Sequence, residues 1–135
     1  MKSRPLSVTV NLILILLDSL FWFVFGVIVI AGLHPGLPDL PFIKEIMALL
    51  AFATAGIMLL VIVLLGKHNR IGYFLGVLLF AALSLLSLFD DFGWTDLVVL
   101  VFHVVPLILL IVNRAWYLQV RTDPVDGNYT HQPVE

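Results

Sequence analysis

The stretch that decides the fold is residues 8–33, VTVNLILILLDSLFWFVFGVIVIAGL, in which Asp18 is the only charged residue. An apolar helix needs about 20 residues, at about 1.5 Å each, to cross a hydrocarbon core about 30 Å thick. The stretch exceeds that length. In the strands of a transmembrane barrel apolar and polar side chains alternate with a period of two, and this stretch lacks that alternation. The pattern predicts a membrane-spanning helix.

Three further apolar stretches follow along the chain, at residues 43–65, 71–89 and 97–117. Segments rich in proline, basic residues or acidic residues separate them, and such segments end helices. We therefore predict an all-α fold, a four-helix transmembrane bundle that forms a single domain over residues 1–121. The polar residues 122–135 are expected to form a disordered cytoplasmic tail.

The composition excludes most other classes of protein. Of the 135 residues 61% are hydrophobic and 12% charged, against about 45–50% and about 25% in soluble domains, and the mean hydropathy is +1.12. A formal net charge of −2 argues against nucleic acid as a partner. The chain has no cysteine, which excludes thiol catalysis, disulfides and cysteine-ligated metals. The expected partner is the lipid bilayer.

The basic residues predict the orientation of the bundle. Six of the seven fall at one predicted end, namely Lys2, Arg4, Lys67, Arg70, Arg114 and Arg121. Only Lys44 falls at the other end. Since lysine and arginine accumulate on the cytoplasmic side, we expect both termini in the cytoplasm and the chain in the plasma membrane. The alternative, a cleaved signal peptide, would have an apolar run of only about 7–15 residues.

Asp18 is the residue that most needs an explanation, because it lies about 15 Å into the membrane when counted from Val8. An ionised carboxylate at that depth costs at least about 2.5–3.5 kcal/mol on insertion scales. Thr54, Ser84 and His103 lie at similar depths in the other predicted helices, so these four residues form a candidate intramembrane polar site. Two interpretations stay open, a proton- or cation-coupling site and a protonated aspartate that fixes helix register.

Pro106 follows His103 by three residues and removes the backbone donor for the Phe102 carbonyl. This spacing predicts a kink and a free acceptor beside His103, which suits a small hydrated cavity. The alternative is a neutral histidine bonded to a neighbouring helix.

Gly72 and Gly76 form a Gly-x-x-x-Gly pair that predicts close helix packing, within the bundle or between protomers. Arg114, Trp116 and Tyr117 are typical of an anchor at the membrane interface. No Ser-His-Asp spacing, His-Glu-x-x-His motif or glycine-rich phosphate loop is present, so we expect neither an enzyme nor a metal or cofactor site.

Three functions are consistent with this pattern. The sequence favours the first, a non-enzymatic structural or accessory subunit that associates with other membrane proteins, because this role requires only the apolar faces, the small-residue contacts and the interface anchors. The second is a small oligomeric proton- or cation-coupled transporter or channel that uses Asp18. The third is a membrane-permeabilising or immunity-type protein. A homo-oligomer would favour transport, because one bundle of this size has little room for a pathway.

The sequences RPLSV at 4–8 and RAWYL at 114–118, with the short turn at 66–70, resemble small four-helix membrane proteins of prokaryotes. The resemblance covers most of the chain and implies an integral membrane location, without any activity or site residue. In form the chain is also similar to small multidrug-resistance transporters, which have four helices and a membrane-embedded acid in the first. Here that acid is Asp18 instead of glutamate, and the motifs around the glutamate of that family are absent.

Overall fold

The structure is a computed structural model that describes residues 4–34, 40–89 and 94–118. In these ranges the chain forms helices and no strand, which confirms the all-helical prediction for the described residues. The helices are α1 (Leu6–Ile30), α2 (Pro41–Gly66), α3 (Arg70–Phe89), α4 (Trp94–Val112) and α5 (Arg114–Tyr117). The predicted tail at 122–135 lies outside the described residues.

Three of the helices are long and apolar enough to cross a membrane, by length and composition: Leu6–Ile30, Phe42–Gly66 and Arg70–Leu88. The apolar part of α4, Leu97–Val112, is shorter. At most 33% of the residues in each span are buried inside the protein, so large apolar side chains cover its outer surface. Such a surface is expected where lipid surrounds the helices, and the chain is a helical membrane protein by these criteria.

The four long helices form a closed ring of contacts. α1 packs along α2, α2 along α3 and α3 along α4, and α1 also contacts α4. The core inside the ring consists of Val8, Ile15, Met58, Val61, Leu65, Tyr73, Phe80, Leu110 and Tyr117.

α1 ends at Ile30, three residues before the predicted end, because Gly32 adopts a positive φ of 70°. The Gly32 amide donates to the Val29 carbonyl, and the Leu33 amide donates to the Ile28 carbonyl at 3.1 Å. This pair of hydrogen bonds is the Schellman motif, which satisfies the last carbonyls of a helix and turns the chain away from its axis.

The same motif ends α2, although a histidine takes the place of the glycine. His68 has a φ of 54°, and the Asn69 amide donates to the Leu64 carbonyl at 3.0 Å. The Asn69 side chain then accepts a hydrogen bond from the Ile71 amide at 2.8 Å, which caps the start of α3. The turn from α2 to α3 is therefore short, and the two helices run antiparallel.

The fourth predicted helix, residues 97–117, is divided in the structure, because α4 ends at Val112 and α5 begins at Arg114. Asn113 lies between them. Its side chain donates to the Leu109 carbonyl at 2.8 Å and accepts from the Ser7 hydroxyl at 2.7 Å. Asparagine side chains readily form hydrogen bonds to nearby backbone groups, and these bonds compete with the regular hydrogen bonds of a helix.

Pro106 lies inside α4, which continues through it to Val112. The missing proline N–H leaves the Phe102 carbonyl without its helical donor, and the next side chain along the chain, His103, is buried. The kink stays a prediction.

Gly72 and Gly76 face α2 at close range. A Cβ atom at Gly72 would overlap the Leu64 side chain, and one at Gly76 would lie 3.1 Å from Val61 Cγ1. The glycine pair therefore lets α3 approach α2 within the bundle.

Replacing Gly72 with alanine is expected to destabilise the fold by about 1–3 kcal/mol, because Leu64 and the backbone of α2 would have to move. The measurement is thermal unfolding in detergent. Gly56→Ala is the matched control, since no atom lies within 4 Å of the position of its Cβ. Equal melting temperatures for the two variants would contradict this account of the packing.

Candidate functional site

Asp18 lies midway along α1, and its neighbour Ser19 attaches this part of the helix to α2. The Ser19 hydroxyl donates to the Ala55 carbonyl at 3.1 Å. Asp18 itself is only 1% exposed. The carboxyl group therefore lies within the bundle, at the level where an ionised group is most costly in a membrane.

The partner of Asp18 is His103 of α4. Asp18 Oδ2 lies 3.6 Å from His103 Nε2, and the histidine is likewise 1% exposed. The distance is short enough for an ion pair but longer than a hydrogen bond of about 2.7–3.2 Å. Among the residues that the structure describes, Asp18 Oδ2 has no hydrogen-bond partner.

Two further side chains determine which nitrogen of His103 carries the proton. Trp22 Nε1, which can only donate, lies 3.4 Å from His103 Nε2. The Ser87 hydroxyl donates to the Leu83 carbonyl at 2.9 Å, so its oxygen accepts from His103 Nδ1 at 3.4 Å. Both contacts assign the proton of a neutral His103 to Nδ1 and leave a lone pair on Nε2.

Asp18 Oδ2 and His103 Nε2 face each other at 3.6 Å, and each is an acceptor when it carries no proton. An additional proton on Asp18 Oδ2 would offer a donor toward His103 Nε2. A proton on Nε2 would instead replace the hydrogen bond from Trp22, because the ring nitrogen has a single lone pair. The pair therefore offers two sites for one proton, one on α1 and one on α4.

Thr54 and Ser84, the other two predicted site residues, bond to their own helices. Thr54 Oγ1 donates to the Leu50 carbonyl at 2.9 Å, and Ser84 Oγ donates to the Phe80 carbonyl at 2.7 Å. The structure thus brings together two of the four predicted residues, Asp18 and His103.

Trp22 and Ser87 contact His103, and the sequence-based site did not include them. Trp22 follows Asp18 by four residues and Ser87 follows Ser84 by three, so in each case helical periodicity is the signal that could have identified them. The Trp22 ring also stacks on the His103 ring, with centroids 6.2 Å apart and planes 15° apart.

Two cavities border the pair, and both are lined in part by Phe21 and Val99. A cavity of about 470 Å³ reaches His103, Ser87 and Trp22 and extends to His34 beyond the end of α1. A smaller cavity of about 260 Å³ lies between α1 and α4 and reaches Asp18. Since a water molecule occupies about 30 Å³ in the liquid, the larger cavity has room for several.

In the described part of the chain no three His, Asp or Glu side chains come together in a way that could hold a metal ion. Comparisons with protein families, with curated proteins and with solved structures find no match to this chain. Fold and site together define a helical membrane protein with an acid–imidazole pair in its interior.

Proposed function

We propose that this chain is a small oligomeric transporter or channel of the plasma membrane that moves protons through Asp18 and His103. The observation that carries the proposal is the 3.6 Å separation of Asp18 Oδ2 and His103 Nε2, both in the bundle interior. The chain is proposed to act without enzymatic chemistry and without a cofactor.

The alternative role for Asp18, fixing helix register, is supported less well by the same geometry. A structural polar group in a membrane is expected to have its hydrogen bonds satisfied, because an unsatisfied group is costly in hydrocarbon. Asp18 Oδ2 has no hydrogen-bond partner among the described residues. Ser19, by contrast, bonds to the Ala55 carbonyl and can fix the register of α1 against α2.

The cavities support a directional path to the pair. The larger one extends from His103 toward His34, at the C-terminal end of α1. Ile15 lies one turn before Asp18 in α1, toward the opposite end of the helix. It is fully buried and belongs to the same core cluster as Phe80. Toward the C-terminal end of α1 the pair thus borders the larger cavity, and toward its N-terminal end it borders the packed core. This arrangement supports access of protons from the end at which His34 lies.

Four membrane crossings and cytoplasmic termini complete the proposal. Arg4 lies over the Trp116 ring, with Cζ 5.6 Å from its centroid, and the His68 ring also contacts Trp116. Arg4, the α2–α3 turn and α5 therefore share one end of the bundle. Lys44 lies at the other end, where a Cβ on Gly32 would be 3.6 Å from its Nζ. This distribution of charge favours a cytoplasmic position for the first end.

The accessory-subunit role, which the sequence favours, requires an apolar surface for a partner. An apolar surface of this kind is also what contact with lipid requires, so it does not distinguish a protein partner from the bilayer. Among the described residues, no particular contact favours the accessory role. The oligomer is part of the proposal because a pathway through one ring of four helices has little room.

The proposed topology predicts the behaviour of reporters fused after Glu135. A fluorescent protein that folds only in the cytoplasm is expected to be active, and alkaline phosphatase, which requires an oxidising compartment, is expected to be inactive. The opposite result would place the basic end outside and would contradict the orientation.

The experiment that tests the function is proton flux into proteoliposomes that contain a pH-sensitive dye. With a pH gradient and a potassium–valinomycin potential, vesicles with the protein are expected to change their internal pH faster than empty vesicles. The oligomeric state is measured in parallel by light scattering in a mild detergent. Equal rates in both kinds of vesicle, under gradients of either direction, would rule out proton movement by the chain alone.

A further inference from the structure

Three separate segments of the chain meet on one side chain, Trp116 of α5. Arg4, just before α1, has its Cζ atom 5.6 Å from the centroid of the Trp116 ring. His68, in the α2–α3 turn, has its ring centroid 4.0 Å from that of Trp116. His68 Nδ1 also lies 3.3 Å from the Trp116 carbonyl, which can only accept, so Nδ1 donates to it. We call these three residues the Trp116 cluster.

Two hydrogen bonds next to the Trp116 cluster connect this part of the chain to α1. The Ser7 hydroxyl donates to Asn113 at 2.7 Å, and Asn11 donates to the Tyr117 hydroxyl at 3.3 Å. Tyr117, the neighbour of Trp116, is fully buried. These bonds attach residues 113–117 to the first turns of α1, close to Arg4, whose own side chain is exposed.

Positive charge predominates at this end of the bundle among the residues that the structure describes. Four basic side chains at this end are exposed, namely Arg4, Lys67, Arg70 and Arg114. The acidic side chains that the structure describes are Asp18, in the interior, and Glu45, near the start of α2 at the other end. No described carboxylate therefore neutralises the basic end.

Exposed apolar side chains lie directly beside these charges along the chain. Leu6 is 79% exposed and Ile71 is 69% exposed, and each is within two residues of an arginine. α2 ends and α3 begins here as well, so this is the level at which the apolar spans meet the headgroup region.

We propose that the Trp116 cluster, together with the exposed Lys67 that precedes His68 in the α2–α3 turn, binds the headgroup of an anionic phospholipid. Its acyl chains would lie along the exposed apolar side chains Leu6 and Ile71. Guanidinium groups bind phosphate oxygens in a bidentate way, and an indole ring prefers the membrane interface. The combination of charge with an apolar surface favours a lipid over free phosphate. The site goes beyond the proposed function and does not depend on Asp18.

The test is native mass spectrometry of the protein in detergent micelles with added lipid, either phosphatidylglycerol or phosphatidylcholine. We expect phosphatidylglycerol to remain bound and phosphatidylcholine to dissociate. The double variant Arg4→Gln, Lys67→Gln is expected to bind phosphatidylglycerol more weakly by about fivefold for each charge removed. Trp116→Leu is expected to weaken binding as well, because Arg4 loses its support.

Lys44→Gln is the matched control, since it removes one positive charge at the other end of the bundle. It should bind phosphatidylglycerol as the wild type does, and so should Asp18→Asn. Equal retention of the two lipids would overturn the proposal. So would an equal loss of binding in Lys44→Gln and in the single variant Arg4→Gln, or full displacement of the lipid by millimolar inorganic phosphate.

Discussion

Replacing Asp18 with asparagine is expected to reduce proton flux in proteoliposomes to the level of empty vesicles. Asparagine has nearly the same shape and keeps a hydrogen-bonding group opposite His103, but it cannot bind and release a proton at neutral pH. The 3.6 Å gap between the two side chains would then contain no site on α1 to which a proton could move. The flux of the variant is measured under the same gradient as that of the wild type.

The matched control is Ser19→Ala, which changes the adjacent buried residue of α1. It removes the hydrogen bond to the Ala55 carbonyl and is expected to cost about 0.5–1.5 kcal/mol of stability, with proton flux retained. For Asp18→Asn the melting temperature should change little. If Asp18→Asn conducts protons like the wild type, Asp18 serves packing and the proposed function is wrong.

Replacing Phe80 with alanine is expected to produce the largest loss of stability of any single truncation discussed. Phe80 of α3 is fully buried in the core, and its ring centroid lies 6.4 Å from that of His103. Losing about 100 Å³ of side chain removes its packing contacts and leaves a cavity, and the two effects together cost about 3–5 kcal/mol. The stability is measured by unfolding in mixed micelles with increasing amounts of a denaturing detergent.

Phe74→Ala provides the matched control on the same helix, because Phe74 is 63% exposed on the outer surface. Lipid or detergent can fill the space that this truncation leaves, so the expected loss of stability is small. If both variants unfold at the same detergent fraction, Phe80 is not part of a close-packed core. The packing proposed to close one side of the acid–imidazole pair would then be absent.

Residue counting along the sequence was sufficient to find the helices and the two titratable residues of the site. Apolar length and composition identified α1, α2 and α3, whose observed ends differ from the predicted ends by three residues or fewer. Depth is proportional to residue number at about 1.5 Å per residue, so Asp18 and His103 could be assigned to neighbouring levels. The Gly-x-x-x-Gly spacing of Gly72 and Gly76 likewise indicated a surface of close approach.

Counting residues gives the depth of a side chain in the membrane but not the direction in which it points. It therefore could not show which side chains at the same depth face each other. Thr54 and Ser84 have suitable depths, but their hydroxyls bond to carbonyls of their own helices, while Trp22 and Ser87 contact His103. The rotation of each helix about its axis decides this choice, and that rotation follows from packing such as the contact of α3 with α2.

The sequence by itself determined what lipid requires: apolar spans of sufficient length, a single acid within the first span, and basic residues between spans. Only the tertiary structure decided where the fourth helix is interrupted, because Asn113 bonds to Ser7, which is 106 residues away along the chain. It alone also placed Asp18 Oδ2 opposite His103 Nε2. Burial in lipid depends on local composition, which a sequence displays directly. Which side chains contact each other depends on how distant segments of the chain pack, and these contacts exist only once the helices have packed.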